Sequence, residues 1–280
     1  MKSTVNVSII IVSFNTKDLL RACLAAVAAG EVIVVDNGSS DGSVEMVKKE
    51  FPGVTLIANS QNRGFAAANN QGLKRARGRY MLLLNSDTEV PPGAIGEVTR
   101  FMDEHPDIGV TGAKLMLPNG RMDPACHRGF PTPWAAVAYF TGFEKAFPHS
   151  RFFGEYHQGY KTMNEPHQID SPSGAFYFVR REVYESVGPL DEDYFMYGED
   201  LDWSYRIKQK GWKIYFYPRV TVLHHKKQSG RASTDPALRK QTQQYFYDTM
   251  KLFYKKHYSH RYSWLVTKLV ELGIGLRASL

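Results

Sequence analysis

One apolar segment that ends in polar residues constrains the fold of this chain more than any other feature. Residues 80–84 (YMLLL) are all apolar, and Asn85, Ser86 and Asp87 follow them directly. An uninterrupted apolar segment of this length predicts a strand buried on both faces, as in a parallel sheet covered by helices. Ligands bind such sheets beyond the carboxyl ends of the strands, so we expect Asn85 and Asp87 to face one ligand. For these residues taken alone, an ordinary polar turn is the alternative.

Strands and helices alternate along the chain before this segment. Thr16 is placed to cap the first helix, and Asp41 or a nearby serine is placed to cap the second. The alternation predicts an α/β protein with a right-handed, doubly wound parallel sheet. The predicted strands are 5–13, 31–36, 54–58 and 80–84, and the predicted helices run from 16 to about 29, from 41 to 49 and from 66 to 77.

The loop after the first strand lacks two common nucleotide-binding motifs. It reads SFNTK, from Ser13 to Lys17, where a dinucleotide fold would carry GxGxxG and an ATPase GxxxxGK[ST]. The sequence therefore supports neither NAD chemistry nor ATP hydrolysis. The strands end instead in polar residues at Ser13, Asn15, Asp36 and Asp87, which could hold a base, a ribose and a metal-bound diphosphate.

Charge is distributed unevenly along the 280 residues. The net charge is +7, yet residues 226–280 contain eleven lysines and arginines and only three acids, so the rest of the chain is close to neutral. We predict one large domain, residues 1–230, followed by a basic, aromatic-rich helical tail, residues 231–280. No nucleic-acid-binding motif accompanies the basic residues, so nucleic acid is not an expected partner.

Cysteine usage and hydropathy indicate a cytoplasmic protein. Cys23 and Cys126 form neither a CxxC nor a Cys/His metal pattern, which indicates free thiols in a reducing compartment. The N-terminal residues do not form a signal-peptide pattern, and no apolar stretch reaches about 18 residues. We therefore expect a protein that is cytoplasmic or peripheral on the inner face of the cell membrane.

The second half of the sequence is less regular than the first. Asn119-Gly120 predicts a tight hairpin turn. Residues 124–167 are rich in aromatic residues, Pro and Gly without a clear period, and they either cover the site and shape an acceptor pocket or form a structural wrap. The predicted strands are 108–116, 176–180, 213–217 and 221–223.

The predicted tail contains two helices, residues 236–257 and 264–276. Their aromatic residues alternate with lysines and arginines, a combination that suits the surface of an anionic membrane. Packing of the tail on the domain, or formation of a homo-oligomer through it, is the alternative.

Five motifs in a fixed order carry a resemblance to a known family. They read IIIVSFN, VVDNGSSDGS, NRGFAAANNQG, LLLNSDT and YGEDLDWSYR, and the resemblance covers about residues 5–230. Together they resemble the GT-A glycosyltransferases of family 2, and within it the rhamnosyltransferase branch. The resemblance implies a GT-A, Rossmann-like sheet with helices on both faces. It also implies inverting transfer of a sugar, with rhamnose favoured, from a dTDP- or UDP-linked donor to a glycan or lipid-linked acceptor in cell-surface polysaccharide synthesis.

The resemblance also assigns donor-side and metal-binding residues. It implies that Asp36 contacts the nucleobase, and that Asp87 binds a divalent metal, Mg²⁺ or Mn²⁺. The first acid of the family's DxD motif is Asn85 here, so only Asp87 receives the ligand role from that motif. His224 matches a Val-x-His pattern that brings an imidazole to the metal, although a lone histidine is more often structural. The nucleotide-sugar-binding candidates are Ser13, Asn15, Asp36, Asn62, Arg63, Asn70, Asn85 and Ser86.

The acids at 199–202 start a predicted helix that ends near residue 210. On residue type alone, they suit the helix dipole, and Asp202 and Arg206 form an i,i+4 pair. In the family that this chain resembles, the aspartate that matches Asp200 deprotonates the acceptor hydroxyl. We expect Glu199 and partial burial to raise the pKa of Asp200 and improve it as a base. The acceptor-side candidates are Gly174, Ala175, Glu199 and Trp203, and Lys226 and Lys227 are candidates for neutralising the leaving phosphate.

Two other functions are weighed against the glycosyltransferase. A nucleotidyltransferase that makes the activated sugar would carry a Gly-rich, basic loop after the first strand, where Ser13-Phe14-Asn15 stands. A non-catalytic sugar-nucleotide-binding protein would not be expected to retain both Asp87 and Asp200.

Overall fold

A single mixed sheet forms the centre of the computed structural model, which describes residues 6–27, 30–226 and 236–279. In this described part the sheet has nine strands. They are β1 (Val7–Ser13), β2 (Glu31–Asp36), β3 (Thr55–Ala58), β4 (Tyr80–Asn85), β5 (Thr88–Glu89), β6 (Ile108–Met116), β7 (His167–Gln168), β8 (Phe176–Arg180) and β9 (Lys213–His224). Their order is β3-β2-β1-β4-β8-β6-β9-β5, and β7 pairs with β9.

The two halves of the sheet differ in strand direction. β3, β2, β1 and β4 pair in parallel, as the sequence predicts. β8 runs antiparallel to both β4 and β6, so the sheet is mixed beyond the four strands for which the sequence predicts parallel pairing. The reason is the path of the chain: β8 begins with Phe176 opposite Leu84, at the carboxyl end of β4, and runs back to Arg180 opposite Tyr80.

β4, in the centre of the sheet, is buried along its apolar residues. Each residue from Tyr80 to Leu84 is at most 2% exposed. Because successive strand residues point to opposite faces, burial of five in a row means that both faces are covered. Each large apolar side chain that is buried in this way contributes about 1.5–3 kcal/mol. The predicted double-sided burial is therefore confirmed.

Helices connect the strands and cover them. They are α1 (Lys17–Ala26), α2 (Ser43–Glu50), α3 (Phe65–Arg75), α4 (Ala94–Glu104), α5 (Pro133–Thr141), α6 (Phe143–Ala146), α7 (Arg181–Val187), α8 (Glu199–Gln209), α9 (Pro236–His257) and α10 (Trp264–Ser279), with a 3-10 turn at Pro124–Cys126. Both cysteines are buried free thiols, as predicted.

The starts of α1 and α2 share one capping group. Thr16 precedes α1 but its hydroxyl makes no cap, so the prediction for Thr16 is wrong. Asp41 accepts a hydrogen bond from the backbone N–H of Lys17 at 2.8 Å and from that of Ser43 at 3.0 Å. A single carboxylate therefore satisfies free N–H groups at both helix N-termini.

Two irregular regions differ from the sequence prediction. β9 is one strand rather than two: its pairing with β6 shifts register between Tyr217 and Thr221, where Pro218 has no N–H to donate, but the strand continues beyond it. The 124–167 segment contains α5. The side chain of Thr132 caps the first turn of this helix, because its Oγ1 accepts a hydrogen bond from the N–H of Ala135 at 3.1 Å. Pro133 at the first helical position is the signal that the sequence reading missed.

α9 packs on the sheet domain. Its Phe253 and Tyr254, together with Tyr258 just after the helix, are buried in a cluster with Tyr194 and Tyr205. Every helix within the described ranges is too short or too polar to cross a membrane. The predicted boundary between residues 230 and 231 lies outside the described residues.

Candidate active site

Parallel pairing brings the carboxyl ends of β1, β2 and β4 to one edge of the sheet. Ser13 lies opposite Asp36, and Val12 lies opposite Asn85. The hydroxyl groups of Ser13 and Ser86 both contact Thr16 Oγ1, at 3.0 and 2.9 Å. Ser13 and Ser86 thus meet at the predicted edge, and their buried hydroxyls join two strand ends.

The side chain of Asp36 has one hydrogen-bonded oxygen and one unpaired oxygen at this edge. Its Oδ1 accepts from the backbone N–H groups of Gly38 (3.2 Å) and Ser39 (2.9 Å). Its Oδ2 is buried without a hydrogen-bond partner among the described residues. Because an unpaired buried carboxylate oxygen is costly, this atom is suited to a ligand N–H.

Asn15 connects the loops that follow β1 and β2. It has a left-handed backbone conformation (φ 52°), and its N–H donates to Ser39 Oγ at 2.9 Å. Its Oδ1 accepts from the N–H of Ser40 at 2.8 Å. Asn15 therefore shapes the rim beside Asp36.

The loop before α3 is fixed by Asn37, a buried residue that sequence reasoning missed. Its Nδ2 donates to Asn62 Oδ1 at 2.9 Å and to the carbonyl of Gly64 at 3.2 Å, and its Oδ1 accepts from the N–H of Arg63 at 3.1 Å. The Asn62 side chain is thus used to hold the loop. The Arg63 side chain remains exposed at the rim.

Two predicted site residues lie in the packed interior. Both ends of the Asn70 amide bind Leu190, with Oδ1 accepting from its N–H at 3.0 Å and Nδ2 donating to its carbonyl at 2.9 Å. Trp203 is fully buried, stacks on Tyr177 with ring centroids 5.2 Å apart and donates to the carbonyl of Gly188. The prediction that Trp203 faces an acceptor is wrong, and Asn70 connects α3 to the loop after α7.

Asp87 and His224 converge at the ends of β4 and β9. Asp87 Oδ1 lies 3.3 Å from His224 Nε2. The other ring nitrogen, Nδ1, lies 3.0 Å from Oδ2 of the fully buried Asp123, a residue that no sequence signal identified. The N–H of Lys226 donates to Asp87 Oδ2 at 3.0 Å, and its ammonium pairs with Asp123 at 2.9 Å. Lys227 lies outside the described residues.

These contacts shift the pKa values of His224, Asp87 and Asp123. Burial lowers the pKa of His224, but hydrogen bonds to Asp123 and Asp87 outweigh it and raise the pKa to about 9. Burial raises the pKa of Asp87, yet the hydrogen bond and charge of His224 bring it below the ordinary value. The pKa of Asp123 is likewise low, because His224 and Lys226 offset its burial.

Once His224 Nε2 gives up its proton, the Asp87–His224 pair has the geometry to share one divalent cation. Two ligands at about 2.1 Å from a six-coordinate ion lie about 3 Å apart when adjacent, close to the separation observed here. Asp123 orients the imidazole through Nδ1, as carboxylates do behind metal-bound histidines. No group of three or more Asp, Glu, His or Cys residues suited to a metal occurs in the described part of the chain. Phosphate and water oxygens would therefore complete the coordination.

Asp200 lies in the first turn of α8, held by three donors. Its Oδ2 accepts from Arg128 Nη2 at 2.7 Å and from the N–H of Gly174 at 3.0 Å, and its Oδ1 accepts from the N–H of Leu201 at 2.8 Å. Arg128 is buried and also donates to the carbonyl of Pro172. The ion pair and the N–H groups stabilise a negative charge on Asp200.

Glu199 is the neutral member of the adjacent acid pair. Burial, followed by the charge of Asp200, raises the pKa of Glu199 to about 8, and its Oε2 is buried without a partner among the described residues. Glu199 therefore carries its proton at neutral pH. Burial and the neighbouring acid thus raise the pKa of Glu199, whereas the sequence prediction assigned a raised pKa to Asp200.

Gly174 and Ala175 lie between the metal-binding edge and Asp200. The N–H of Asn85 donates to the carbonyl of Ala175 at 3.1 Å, while Gly174 binds Asp200. A Cβ at position 174 would lie 3.3 Å from the Phe65 ring, which is close packing. Gly174 thus lies beside Asp200, and Ala175 is part of the sheet's hydrogen bonding.

The fold and these groups define the class of protein. A parallel half-sheet with polar strand ends, followed by antiparallel β8, is the GT-A fold of glycosyltransferases. The mannosyltransferase PcManGT from Pyrobaculum calidifontis, solved with GDP-Man and Mn²⁺, has this fold: the TM-score is 0.61 at 16% identity, covering 99% of this chain and 70% of that one.

The family follows from sequence comparison. The model for glycosyl transferase family 2 matches residues 8–188, and the chain belongs to this family of glycosyltransferases. It is 27% identical over 230 residues to the N-acetylglucosaminyl-diphospho-decaprenol L-rhamnosyltransferase of Mycobacterium tuberculosis, covering 78% of this chain and 73% of that protein. It is 28% identical over 246 residues to the O-antigen biosynthesis protein RfbC of Myxococcus xanthus, covering 84% of this chain and 18% of that protein. The family and fold predictions are confirmed.

Proposed function

We propose that this chain is an inverting glycosyltransferase that moves a sugar, rhamnose by preference, from a nucleotide diphosphate to a lipid-linked glycan in cell-surface polysaccharide synthesis. The observation that carries the proposal is the fixed position of Asp200 in the first turn of α8, where Oδ2 accepts from Arg128 and Gly174 and Oδ1 accepts only from the N–H of Leu201. A carboxylate fixed in this way can take the proton of an acceptor hydroxyl. The similarity to the mycobacterial rhamnosyltransferase supports the choice of sugar and of a lipid-linked acceptor.

The donor lies along the carboxyl ends of β1, β2 and β4. The unpaired Oδ2 of Asp36 accepts the imide N–H of a uracil or thymine base, which supports a UDP- or dTDP-linked sugar. Asn15 closes the rim of this pocket. Arg63, exposed at the next loop, is placed to contact the donor from the solvent side.

Asp87 and His224 would hold a divalent cation, Mg²⁺ or Mn²⁺. When bound, the ion would neutralise charge that develops on the departing diphosphate. Asp123 fixes the orientation of the His224 ring, and Lys226 adds positive charge beside Asp87. The Mn²⁺ in the mannosyltransferase with the same fold supports the presence of a divalent cation.

Asp200 acts on the acceptor. Its Oδ2 already accepts two hydrogen bonds, from Arg128 and Gly174, whereas Oδ1 accepts one, from Leu201. Oδ1 therefore has the lone pair that receives the hydroxyl proton. As the acceptor oxygen bonds to the anomeric carbon, the bond from that carbon to the diphosphate breaks, and the configuration inverts in one displacement.

The acceptor determines where the enzyme works. A lipid-linked glycan lies at a membrane, so we place the enzyme at the inner face of the cell membrane as a peripheral protein. A homo-oligomer formed through the two C-terminal helices is the alternative use of that region.

A thermal-shift screen with dTDP-, UDP- and GDP-sugars tests the donor and metal assignments together. A ligand that binds only the folded state raises the melting temperature by an amount set by its affinity. We expect one class of pyrimidine nucleotide sugar to stabilise the protein, and only with Mg²⁺ or Mn²⁺ present. Asp87→Asn should remove the stabilisation that depends on the metal.

The control for this substitution is Asp107→Asn, which removes an exposed carboxylate paired with Lys213 far from the strand ends. It should respond to donor and metal like the unmodified protein. Equal stabilisation by the donor with EDTA and with metal would overturn the metal assignment. Release of nucleoside diphosphate without transfer to any glycan acceptor would overturn the choice of acceptor.

A further inference from the structure

The exposed large hydrophobic side chains are concentrated in two places. Among the described residues, every one except Phe14 belongs to α10 with its preceding Tyr262 or to residues 134–152 around α5 and α6. Scattered apolar residues are normal on a protein surface, but a concentration of this kind marks an interaction surface. The exposed residues of the second group are Trp134, Val137, Tyr139, Phe143, Phe147 and Phe152.

α10 carries one continuous leucine stripe. Leu265, Leu269, Leu272 and Leu276 follow at spacings of four, three and four residues, which places them on one side of the helix. Each is at least 55% exposed, and Trp264 at the start of the helix is 77% exposed. The stripe therefore covers no other part of the described chain.

The other side of α10 packs against α9. Ile274 is 8% exposed, and the hydroxyl groups of Thr267 and Tyr254 lie 3.1 Å apart. These contacts fix the rotation of α10 about its axis, so its leucine stripe is held outward.

The exposed apolar residues of α10 and those around α5 and α6 lie next to each other at the end of α10. Arg277 donates to the carbonyl of Phe140, and its guanidinium lies 5.3 Å from the centre of that ring. We call the leucine stripe with Trp264, together with the exposed residues around α5 and α6, the apolar platform.

The charges of the two segments that form the apolar platform favour an anionic partner. The basic residues there are Lys145, Arg151, Arg261, Lys268 and Arg277. Of the acids, Glu144 is turned inward, where it accepts from the N–H of His157, and Glu271 is paired with Lys268. Apolar and aromatic side chains among basic residues are the combination that binds the interface of an anionic bilayer.

We propose that the apolar platform docks on the surface of an anionic lipid bilayer and holds the active site beside the membrane. The proposal rests on the proposed function in one respect, the lipid-linked acceptor. It differs from the sequence prediction, which placed the membrane contact in the basic tail as a whole. α9 is excluded because Phe253 and Tyr254 are buried and Lys256 pairs with Asp191 and Asp193.

A short series of contacts connects the apolar platform to Asp200. The Tyr139 ring lies 5.6 Å from the Tyr156 ring, and Tyr156 lies beside the Arg128 guanidinium. Arg128 in turn holds Asp200 at 2.7 Å. The apolar platform and the proposed base thus belong to one connected set of packed side chains.

Vesicle binding tests the docking surface. The full chain is mixed with vesicles of phosphatidylcholine alone or with phosphatidylglycerol, and bound protein is measured by sedimentation and by quenching of tryptophan fluorescence with brominated lipid. We expect binding and quenching only with phosphatidylglycerol, because Trp134 and Trp264 enter the interface. Leu269→Glu with Leu272→Glu, and separately Phe147→Glu with Phe152→Glu, should each lower binding at least about tenfold.

The matched control is Thr55→Glu, which adds a negative charge at an exposed position of the sheet's edge strand. It should bind vesicles like the unmodified protein. If Thr55→Glu reduces binding as much as the leucine substitutions, the contact is only electrostatic and the proposal fails. The proposal also fails if the protein does not bind vesicles and instead forms a dimer. In that case sedimentation velocity would show that the leucine substitutions convert the dimer to monomers.

Donor binding separates this proposal from the proposed function. Platform variants should keep the donor-induced thermal shift and lose transfer to an acceptor embedded in vesicles. Transfer to a lipid-linked acceptor without any vesicle binding would overturn the platform and leave the glycosyltransferase intact. Vesicle binding without any nucleotide-sugar binding would uphold the platform and overturn the proposed function.

Discussion

The donor half and the acceptor half of this site are assembled in different ways. In the donor half, Ser13, Asp36 and Asn85 meet because neighbouring parallel strands end at the same edge. In the acceptor half, Arg128 holds Asp200 across 72 residues of sequence. Sheet topology places the first set of groups, whereas buried ion pairs and hydrogen bonds place the second.

This difference predicts that substitutions in the two halves of the site have different effects. A change at a strand end removes one contact with the donor and leaves the neighbouring strands in place. A change in a buried charged pair leaves its partner uncompensated, which is more costly than the loss of the contact alone. Donor-half substitutions should therefore alter donor affinity, and acceptor-half substitutions should alter the rate of transfer.

The largest effect should come from Asp200→Asn. The amide keeps the shape of the side chain but cannot take a proton, so we expect kcat for transfer to fall about 10² to 10⁴-fold. Donor affinity, measured by the thermal shift, should stay within about twofold because the donor half is untouched.

Asp202→Asn is the comparison variant for this prediction, since Asp202 is a neighbouring acid that Arg206 and His257 already bind. It should destabilise α8 and α9 more than it slows the chemistry of the folded protein. Nearly full transfer activity in Asp200→Asn would show that another acid is the base.

A smaller effect should come from Asp36→Asn in the donor half. Replacing the buried Oδ2 with an amide N–H removes an acceptor and presents a donor to the base. A hydrogen bond to a charged group contributes about 1.5–3 kcal/mol, so donor affinity should fall about 10- to 100-fold with little change in kcat at saturation. Isothermal titration with the nucleoside diphosphate measures the change.

Asp41→Asn controls for damage to the same loop. Asp41 caps α1 and α2 without facing the donor, so its substitution should lower the melting temperature and keep donor affinity. Equal loss of affinity in both variants would mean that Asp36 acts on the loop rather than on the base.

The smallest effect on activity should come from Glu199→Gln. Glu199 already holds its proton at neutral pH, so the neutral amide should change kcat by only about two- to threefold. Its stability effect depends on pH. Because the folded state raises the pKa of Glu199 from 4.5 to about 8, it favours the protonated form, and the protein loses stability as pH rises through that interval.

Gln does not titrate, so Glu199→Gln should become more stable relative to the unmodified protein as the pH rises. We expect the difference between the melting temperatures to grow by a few degrees between about pH 5 and pH 8 and then to level off. Melting curves of both proteins across this range measure it. A difference that does not change with pH would contradict the protonated state of Glu199.

The same contrast explains what the sequence could and could not predict. Continuous apolar segments predicted β1, β2 and β4, and the polar residues that follow these strands identified Asp36 and Asp87 as site candidates. Arg128 and Asp123 gave no signal, because a single charged residue in an irregular segment does not reveal its distant partner. The motif NRGFAAANNQG assigns Asn70 to the donor side, yet the Asn70 amide binds the backbone of a residue 120 positions away.

The adjacent residues Gly174 and Ala175 connect both sides of the reaction through the backbone. One binds the proton acceptor and the other binds the strand end that carries Asn85. One peptide unit therefore links the hydrogen bonding of the proton acceptor to that of the strand end before any substrate arrives. An inserted residue at this point would shift Asp200 relative to β4 by up to about 3.5 Å, even if every catalytic side chain were retained. A displacement of that size is enough to take a catalytic group out of reach of its substrate atom.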